Sequence, residues 1–478
     1  MNVTIAFNTA SGAVTPVDAG STGAVRILQL HTPGLGDNTY VVCSGGEMVV
    51  VDPQRDLDRI DAVLREAGGR LVAVVETHVH NDYVSGGPAL AQRHGADYGV
   101  PNGAGYSGRH RALRGGDEVP VGQVVLRALS TPGHTPHHTS YAVVEGGEVH
   151  AVFSGGCVMV GACGRTDLIS PDLTEELTRR QYRSAHRIAA LGDPVAVAPT
   201  HGAGSFCAAS AAGTETWTTV GRERTRNPAF LAPSEDDFVR GQLSGLLAYP
   251  AYYTHMADLN RQGAAGWEAQ PPVSLSADEL QRLVDRGTTV VDGRPRHDFA
   301  AGHIPGSVNI ELDSAFGTYV GWLFPFATRL ALVLGPDQLP IEALRQCARI
   351  GIETFDGVLD GGAKAWAASG RPLGHYPVTD IKGMHDAVTA GGIRVLDVRQ
   401  PLEWADGRVP GALHLHVPEL PARLGELRPS NEPVYVYCRT GHRTAMATSL
   451  LARADIPPVL VDGGFPDWLA LGFPVERD

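Results

Sequence analysis

Short apolar runs recur along the chain: residues 72–75, 124–129 and 195–198 in the first half, and 289–291, 394–396, 434–437 and 459–461 in the second. Runs of this length bounded by turn residues predict buried β-strands. Stretches with helical spacing, such as 277–285, 341–349 and 445–452, lie between them. Strand–helix alternation of this kind predicts parallel sheets covered on both faces, with functional loops at the strand C-terminal ends. At 478 residues the chain has room for about three domains, each with its own core.

The second half repeats itself. Val291-Asp292-Gly293-Arg294 with Gly302-His303-Ile304-Pro305-Gly306 returns as Leu396-Asp397-Val398-Arg399 with Gly407-Arg408-Val409-Pro410-Gly411, and Asp360-Gly361-Gly362 with Trp366 returns as Asp462-Gly463-Gly464 with Trp468. Two successive copies of one fold are expected. They differ at one place. In the second copy the run 434–437 delivers Cys438 into the loop Cys438-Arg439-Thr440-Gly441-His442-Arg443-Thr444, ahead of a helical stretch. A strand, a cysteine and a helix start aim backbone N–H groups at one sulfur, and Arg439 and Arg443 add positive charge, which favours the thiolate. The equivalent place in the first copy reads Val333-Leu334-Gly335-Pro336, with nothing to activate, and Cys347 lies further on, inside a helical stretch, as an expected core thiol.

Composition narrows the class. The net charge of −13, without a cluster of Lys and Arg, argues against nucleic acid as a partner. Residues 1–20 lack a basic start followed by an apolar core, and no apolar run approaches a membrane span, so a cytoplasmic protein that does not engage a membrane is expected. Six scattered cysteines without Cys-x-x-Cys pairs argue against a disulfide scaffold and a structural zinc knuckle.

In the first half, histidines follow the apolar runs: His78 and His80 after 72–75, His134 after 124–129 and His201 after 195–198. Residues two apart in an extended segment project to one side, so His78 and His80 can face one cation. Four histidines at strand ends, with Asp82 close behind, point to a metal site. His137 and His138 are expected to be supporting or surface groups.

Residues 273–478 resemble two tandem rhodanese domains, 273–375 lacking the loop cysteine and 376–478 carrying it. The carriers are the repeated Asp-x-Arg…Gly-x-[Ile/Val]-Pro-Gly and Asp-Gly-Gly…Trp motifs and the Cys-x-x-Gly-x-Arg loop. The resemblance implies that Cys438 carries sulfur as a persulfide, with Arg439, Gly441 and Arg443 as its cradle. Residues 20–262 resemble the metallo-β-lactamase fold in its persulfide dioxygenase and glyoxalase II branch, through Thr77-His78-x-His80-x-Asp82, Pro132-Gly133-His134, Gly164-Arg165-Thr166-Asp167 and Thr200-His201-Gly202. This implies an αββα sandwich and, for the whole chain, an α/β multidomain fusion of persulfide dioxygenase–sulfurtransferase type.

Two positions depart from that pattern. Tyr83 stands where the family has a further histidine, and Gly156, in Phe153-Ser154-Gly155-Gly156, stands where it has a metal-binding aspartate. The two-His, one-carboxylate iron set is therefore incomplete, which leaves a three-His set of His78, His80 and His134, with Asp82 and His201 beside it, for one metal ion, iron or zinc. Cys157 could add a soft ligand or take up sulfur itself. Arg165 and Asp167 either contact an anionic thiol substrate, as the resemblance implies, or form a turn-stabilising ion pair. Expected partners are a small thiol persulfide, thiosulfate or sulfite; self-association stays open. Three functions follow: sulfane-sulfur transfer through Cys438 with a dioxygenase-like first domain, a zinc-dependent thioester hydrolase fused to a rhodanese, or a sulfurtransferase whose first domain only binds.

Overall fold

A computed structural model describes residues 25–209, 215–353, 355–427 and 432–477. The expected domain start at residue 20, the leader-free reading of residues 1–20 and the final residue 478 lie outside them. The chain divides into two compact units, 1–268 with 348–351 and 269–347 with 352–478. Among the described residues no helix is long and apolar enough to cross a membrane.

The first unit is built on two six-stranded sheets. One runs Arg26–Thr32, Asp37–Ser44, Glu47–Val51, Arg70–Val75, Asp97–Pro101, Arg111–Leu113; the other runs Thr218–Thr219, Ala196–Pro199, Glu148–Gly155, Thr139–Glu145, Val124–Ser130, Glu118–Val121. Alternation along each strand sets the layers. Val49 and Val51 face the second sheet and join Tyr141, Val143 and Phe153 in the central core. Met48 and Val50 face the other way, against Leu57, Ile60 and Leu64 of the helix Leu57–Ala67. On the far side Val152 packs with Ala185 and Ile188 of the helix Pro171–Ala189. The layers are αββα.

The second unit holds two five-stranded parallel sheets of one topology. Their orders are Ser274–Leu275, Phe355–Leu359, Leu330–Val333, Thr289–Asp292, Val308–Asn309 and Val378–Asp380, Pro458–Asp462, Val434–Tyr437, Arg394–Asp397, Leu413–His414. The repeated motifs turn out to be staples. Asp292 accepts the backbone N and Nε of Arg294, whose Nη2 reaches the Gly302 carbonyl at 2.9 Å. Asp397, Arg399 and Gly407 repeat this, with the last contact at 2.8 Å. Each motif tryptophan donates Nε1 to a carbonyl six residues on, Trp366 to Pro372 and Trp468 to Pro474.

Candidate functional site

Three strand ends of the first unit converge on a buried histidine cluster. His78, His80 and Asp82 follow the strand Arg70–Val75, His134 follows Val124–Ser130, and His201 follows Ala196–Pro199; all five side chains are essentially without exposed surface. They form two overlapping groups, His78–His134–His201 and His80–Asp82–His201, within each of which the candidate ligand atoms lie within 4.8 Å of one another. His201 belongs to both. The segment after Val75 bends instead of continuing as a strand, so His78 and His80 do not act as a simple same-side pair. The His80 ring stacks on Tyr83 at 4.4 Å and turns Nε2 toward Glu76 Oε2 at 3.0 Å and Asp52 Oδ1 at 3.3 Å.

Each ring is oriented from behind. His134 Nδ1 lies 2.6 Å from the Arg165 carbonyl and donates to it, which leaves the Nε2 lone pair inward. His201 Nδ1 donates to Asp37 Oδ1 at 2.8 Å, with Asp82 Oδ2 at 3.0 Å out of hydrogen-bond alignment. His134 Nε2, His80 Nδ1 and both Asp82 oxygens are buried with no hydrogen-bond partner among the described residues. Such atoms are costly unless something binds them. His201 Nε2 and His78 Nε2 are 3.2 Å apart, close to the roughly 3.3 Å edge of a nitrogen tetrahedron around zinc. The donor set fits a divalent cation.

Electrostatics sorts the rings. Burial and the neighbouring imidazoles hold His78 well below its ordinary range, and burial with His201 pushes His134 down to about 3, so both are neutral and able to ligate. Burial opposes the charging of His201 and His80 too, but carboxylates outweigh it: Asp82 and Asp37 push His201 up to about 10, and Asp52 and Glu76 do the same for His80. In the carboxylate pair behind His201, burial and Asp82 raise Asp37, while His201 holds Asp82 down against burial.

Gly156 packs directly against the cluster. A Cβ there would lie 2.4 Å from His134 Cδ2, and the Gly156 N–H donates to His138 Nε2 at 3.0 Å. His138 is thus a neutral supporting ring, its Nδ1 2.9 Å from Thr131 Oγ1. The ligand or sulfur-acceptor role considered for Cys157 does not hold. Its thiol packs in the apolar layer with Val158 and Cys163, and burial raises it well above its ordinary range.

Of the two readings of Arg165 and Asp167, the contacts are those of the ion pair. Arg165 is fully buried, pairs with Asp167 through Nε and Nη2 at 2.8 Å each, and gives its remaining donors to the carbonyls of Phe206 and Leu247. Both residues form a structural clamp. A cavity of about 300 Å³ is lined by chain neighbours of the cluster residues, Val79, Asn81 and Thr135, with His137 and Arg261 among others. Asp37, Asp52 and Glu76 were not singled out from the sequence. The available signal was a carboxylate directly after an apolar strand, as in Val51-Asp52 and Val75-Glu76.

In the second unit Cys438 follows the strand Val434–Tyr437 and is fully buried. The helix begins at His442, earlier than the expected 445, because Gly441 makes the turn at φ +96°. The Gly441 N–H donates to Cys438 Sγ at 3.0 Å. The two-arginine cradle is modified. Arg443 is bound by Glu403 at 2.5 and 3.0 Å, while Arg439 is exposed with no hydrogen bond or ion pair among the described residues. In the preceding copy Leu334-Gly335-Pro336 follows the strand Leu330–Val333, and Cys347 is a core residue whose thiol burial pushes up.

Residues 276–369 and 380–471 match the rhodanese-like domain family, and residues 32–201 match the metallo-beta-lactamase superfamily. The chain is a fusion of a metallo-β-lactamase-fold domain with two tandem rhodanese domains. Its first half is similar to human mitochondrial persulfide dioxygenase ETHE1, at 27% identity over 226 residues covering 46% of this chain and 82% of that one. It is also similar to the hydroxyacylglutathione hydrolase of Acidiphilium cryptum (strain JF-5), at 35% identity over 134 residues, 27% of this chain and 54% of that enzyme. A solved structure described as a metallo-beta-lactamase from Staphylococcus aureus subsp. aureus COL superposes over 70% of this chain and 99% of its own, with a TM-score of 0.64 at 27% identity.

Proposed function

We propose that the chain handles sulfane sulfur, with Cys438 as the carrier of a rhodanese-type transfer and the histidine cluster as a one-metal site for a small thiol persulfide. The observation that carries this reading is the Gly441 N–H aimed at Cys438 Sγ across 3.0 Å, in a loop that also carries the exposed Arg439. The Cys438 thiolate attacks the outer sulfur of thiosulfate, the S–S bond breaks, and sulfite leaves with the bonding pair. The product is a Cys438 persulfide anion that accepts the same N–H bond. A thiolate, sulfite or cyanide then attacks the outer sulfur and returns the thiolate. Cys438→Ser removes the nucleophile, so transfer from thiosulfate to cyanide should vanish; turnover near that of the parent would refute the role.

In the first domain His78, His134 and His201, or His80, Asp82 and His201, would hold iron or zinc. When bound, the ion would act as a Lewis acid toward a sulfur or oxygen ligand. Around it, Arg165 fixes His134, the Asp37–Asp82 pair fixes His201, and Arg261 offers positive charge to an anionic thiol in the cavity it helps to line. The cluster also supports a second reading. The all-imidazole set His78, His134 and His201 suits zinc and thioester hydrolysis, whereas His80, Asp82 and His201 has the two-His, one-carboxylate composition of an iron centre. Elemental analysis with paired assays separates them: iron with oxygen uptake on glutathione persulfide supports the dioxygenase, and zinc with thioester cleavage and no oxygen uptake supports the hydrolase.

A further inference from the structure

The loop that carries Cys438 is held from outside by the preceding rhodanese copy, which has no cysteine at the equivalent loop. Arg296 opens the helix Arg296–Ala301 of that copy and is anchored by Glu311: the backbone N and Nε donate to Oε1 at 2.9 and 3.1 Å, and Nη2 donates to Oε2 at 2.6 Å. Its remaining arm, Nη1, donates to the carbonyl oxygen of Thr440 at 3.2 Å. The guanidinium lies so close over Gly441 that a Cβ there would sit 1.2 Å from Nη1. Position 441 therefore demands glycine twice, for its positive φ and for the arginine that covers it.

The Thr440 carbonyl and the Gly441 N–H belong to one peptide unit. In a trans peptide they point in opposite directions, so Arg296 holds the oxygen end while the nitrogen end donates to Cys438 Sγ at 3.0 Å. A cation on the carbonyl polarises the amide and makes its N–H a stronger donor, because hydrogen bonds linked through one peptide polarise one another. The same contact opposes a peptide rotation that would turn the carbonyl oxygen toward the sulfur, a motion that glycine otherwise permits. On its other side the loop is tied within its own domain, where Phe465 N donates to the Cys438 carbonyl at 2.9 Å.

We propose that Arg296 is a positioning residue for sulfur transfer: the middle domain acts on Cys438 through the Thr440–Gly441 peptide. This rests on the reading of Cys438 as the sulfur carrier. The other charged or titratable groups facing the loop do not duplicate the contact. Arg443 is committed to Glu403, and His442 Nε2 lies 3.3 Å from Asp313 and 3.6 Å from Glu311. Arg439 points outward, His416 is buried near Arg443, and the Tyr319 phenol, close to Arg443 and Cys438, is pushed up to about 12 by burial. The middle domain, without a loop cysteine of its own, thereby has a function at its neighbour's site.

The test is single-turnover loading of the full chain with thiosulfate, comparing the parent with Arg296→Ala and Arg296→Lys. Arg296→Ala should load about tenfold more slowly at saturating donor, the rate equivalent of one charge-assisted hydrogen bond, with the half-saturating concentration changed by less than about twofold. Arg296→Lys, which keeps a charged donor, should recover part of the rate. An Arg296→Ala protein that loads at the parent rate overturns the proposal. So does a raised half-saturating concentration with an unchanged maximal rate, because Arg296 would then only attract the anion. If Arg296→Ala fails to fold by circular dichroism, Arg296→Lys and Arg296→Gln carry the same comparison. A parent protein that takes up no sulfur brings down the carrier reading itself, whereas a loaded parent with an indifferent Arg296 brings down this proposal alone.

Discussion

His134 Nδ1 donates to the backbone carbonyl of Arg165 across 2.6 Å, so a residue whose own guanidinium faces the protein interior fixes the tautomer of an imidazole in the candidate metal site. The Arg165 side chain keeps that carbonyl in place by binding Asp167 and the carbonyls of Phe206 and Leu247, and it lies over the Tyr249 ring at 4.6 Å.

Arg165→Met should therefore weaken metal binding without touching the metal. Loss of an outer partner of a ligating histidine typically costs about 10- to 100-fold in metal affinity. The buried clamp adds a stability loss of about 2–3 kcal/mol, reduced from the fully buried case because Asp167 is partly exposed. Competitive chelator titration and urea unfolding measure the two effects. Unchanged metal affinity in a folded variant would show that the His134–Arg165 contact does not set the site.

The repeated Asp-x-Arg motif gives a stability prediction. Asp397 is fully buried and accepts the Arg399 backbone N and Nε at 2.9 Å, Arg399 Nη2 at 2.5 Å and the Tyr437 hydroxyl at 2.5 Å. Asp397→Ala strands a buried guanidinium and should cost about 3–5 kcal/mol in chemical denaturation. A loss below about 1 kcal/mol would mean the motif is not a staple.

Much of this was legible in the sequence. Repeated Asp-x-Arg…Gly and Asp-Gly-Gly…Trp segments fixed the two-copy organisation because each encodes a short-range bond, such as Arg399 to Gly407 or Trp468 to Pro474. His78, His134 and His201 were legible because strand ends in an αββα sandwich converge. What escaped depends on contacts distant in sequence. Glu403 neutralises Arg443 from forty residues away, Asp37 reaches His201 from 164 residues away, and His80 turns to Asp52 because its segment bends. Arg165 stayed open between a substrate contact and an ion pair with Asp167 because sequence shows its charge but hides its burial.

His416 supplies a pH prediction. Burial, and then the Arg443 charge, push its imidazole down to about 3. Unfolded, it titrates near about 6.5, so between those values the unfolded chain holds a proton that the native chain lacks. This group therefore removes stability as pH falls below about 6.5, by up to about 1.4 kcal/mol per pH unit, and has no effect above it. His416→Gln should gain on the parent in unfolding free energy as pH is lowered from about 7 to about 5. Parallel stability curves for the two proteins would contradict the assignment.

The central claim is that one sulfur, on Cys438, is loaded by small sulfane-sulfur donors. Intact-mass measurement with peptide mapping after brief exposure to thiosulfate tests it most directly. The account predicts the mass of a single added sulfur atom on the peptide containing Cys438, and none on Cys438→Ser. Sulfur found instead on Cys157 or another buried cysteine, or no addition at Cys438 at all, would contradict it.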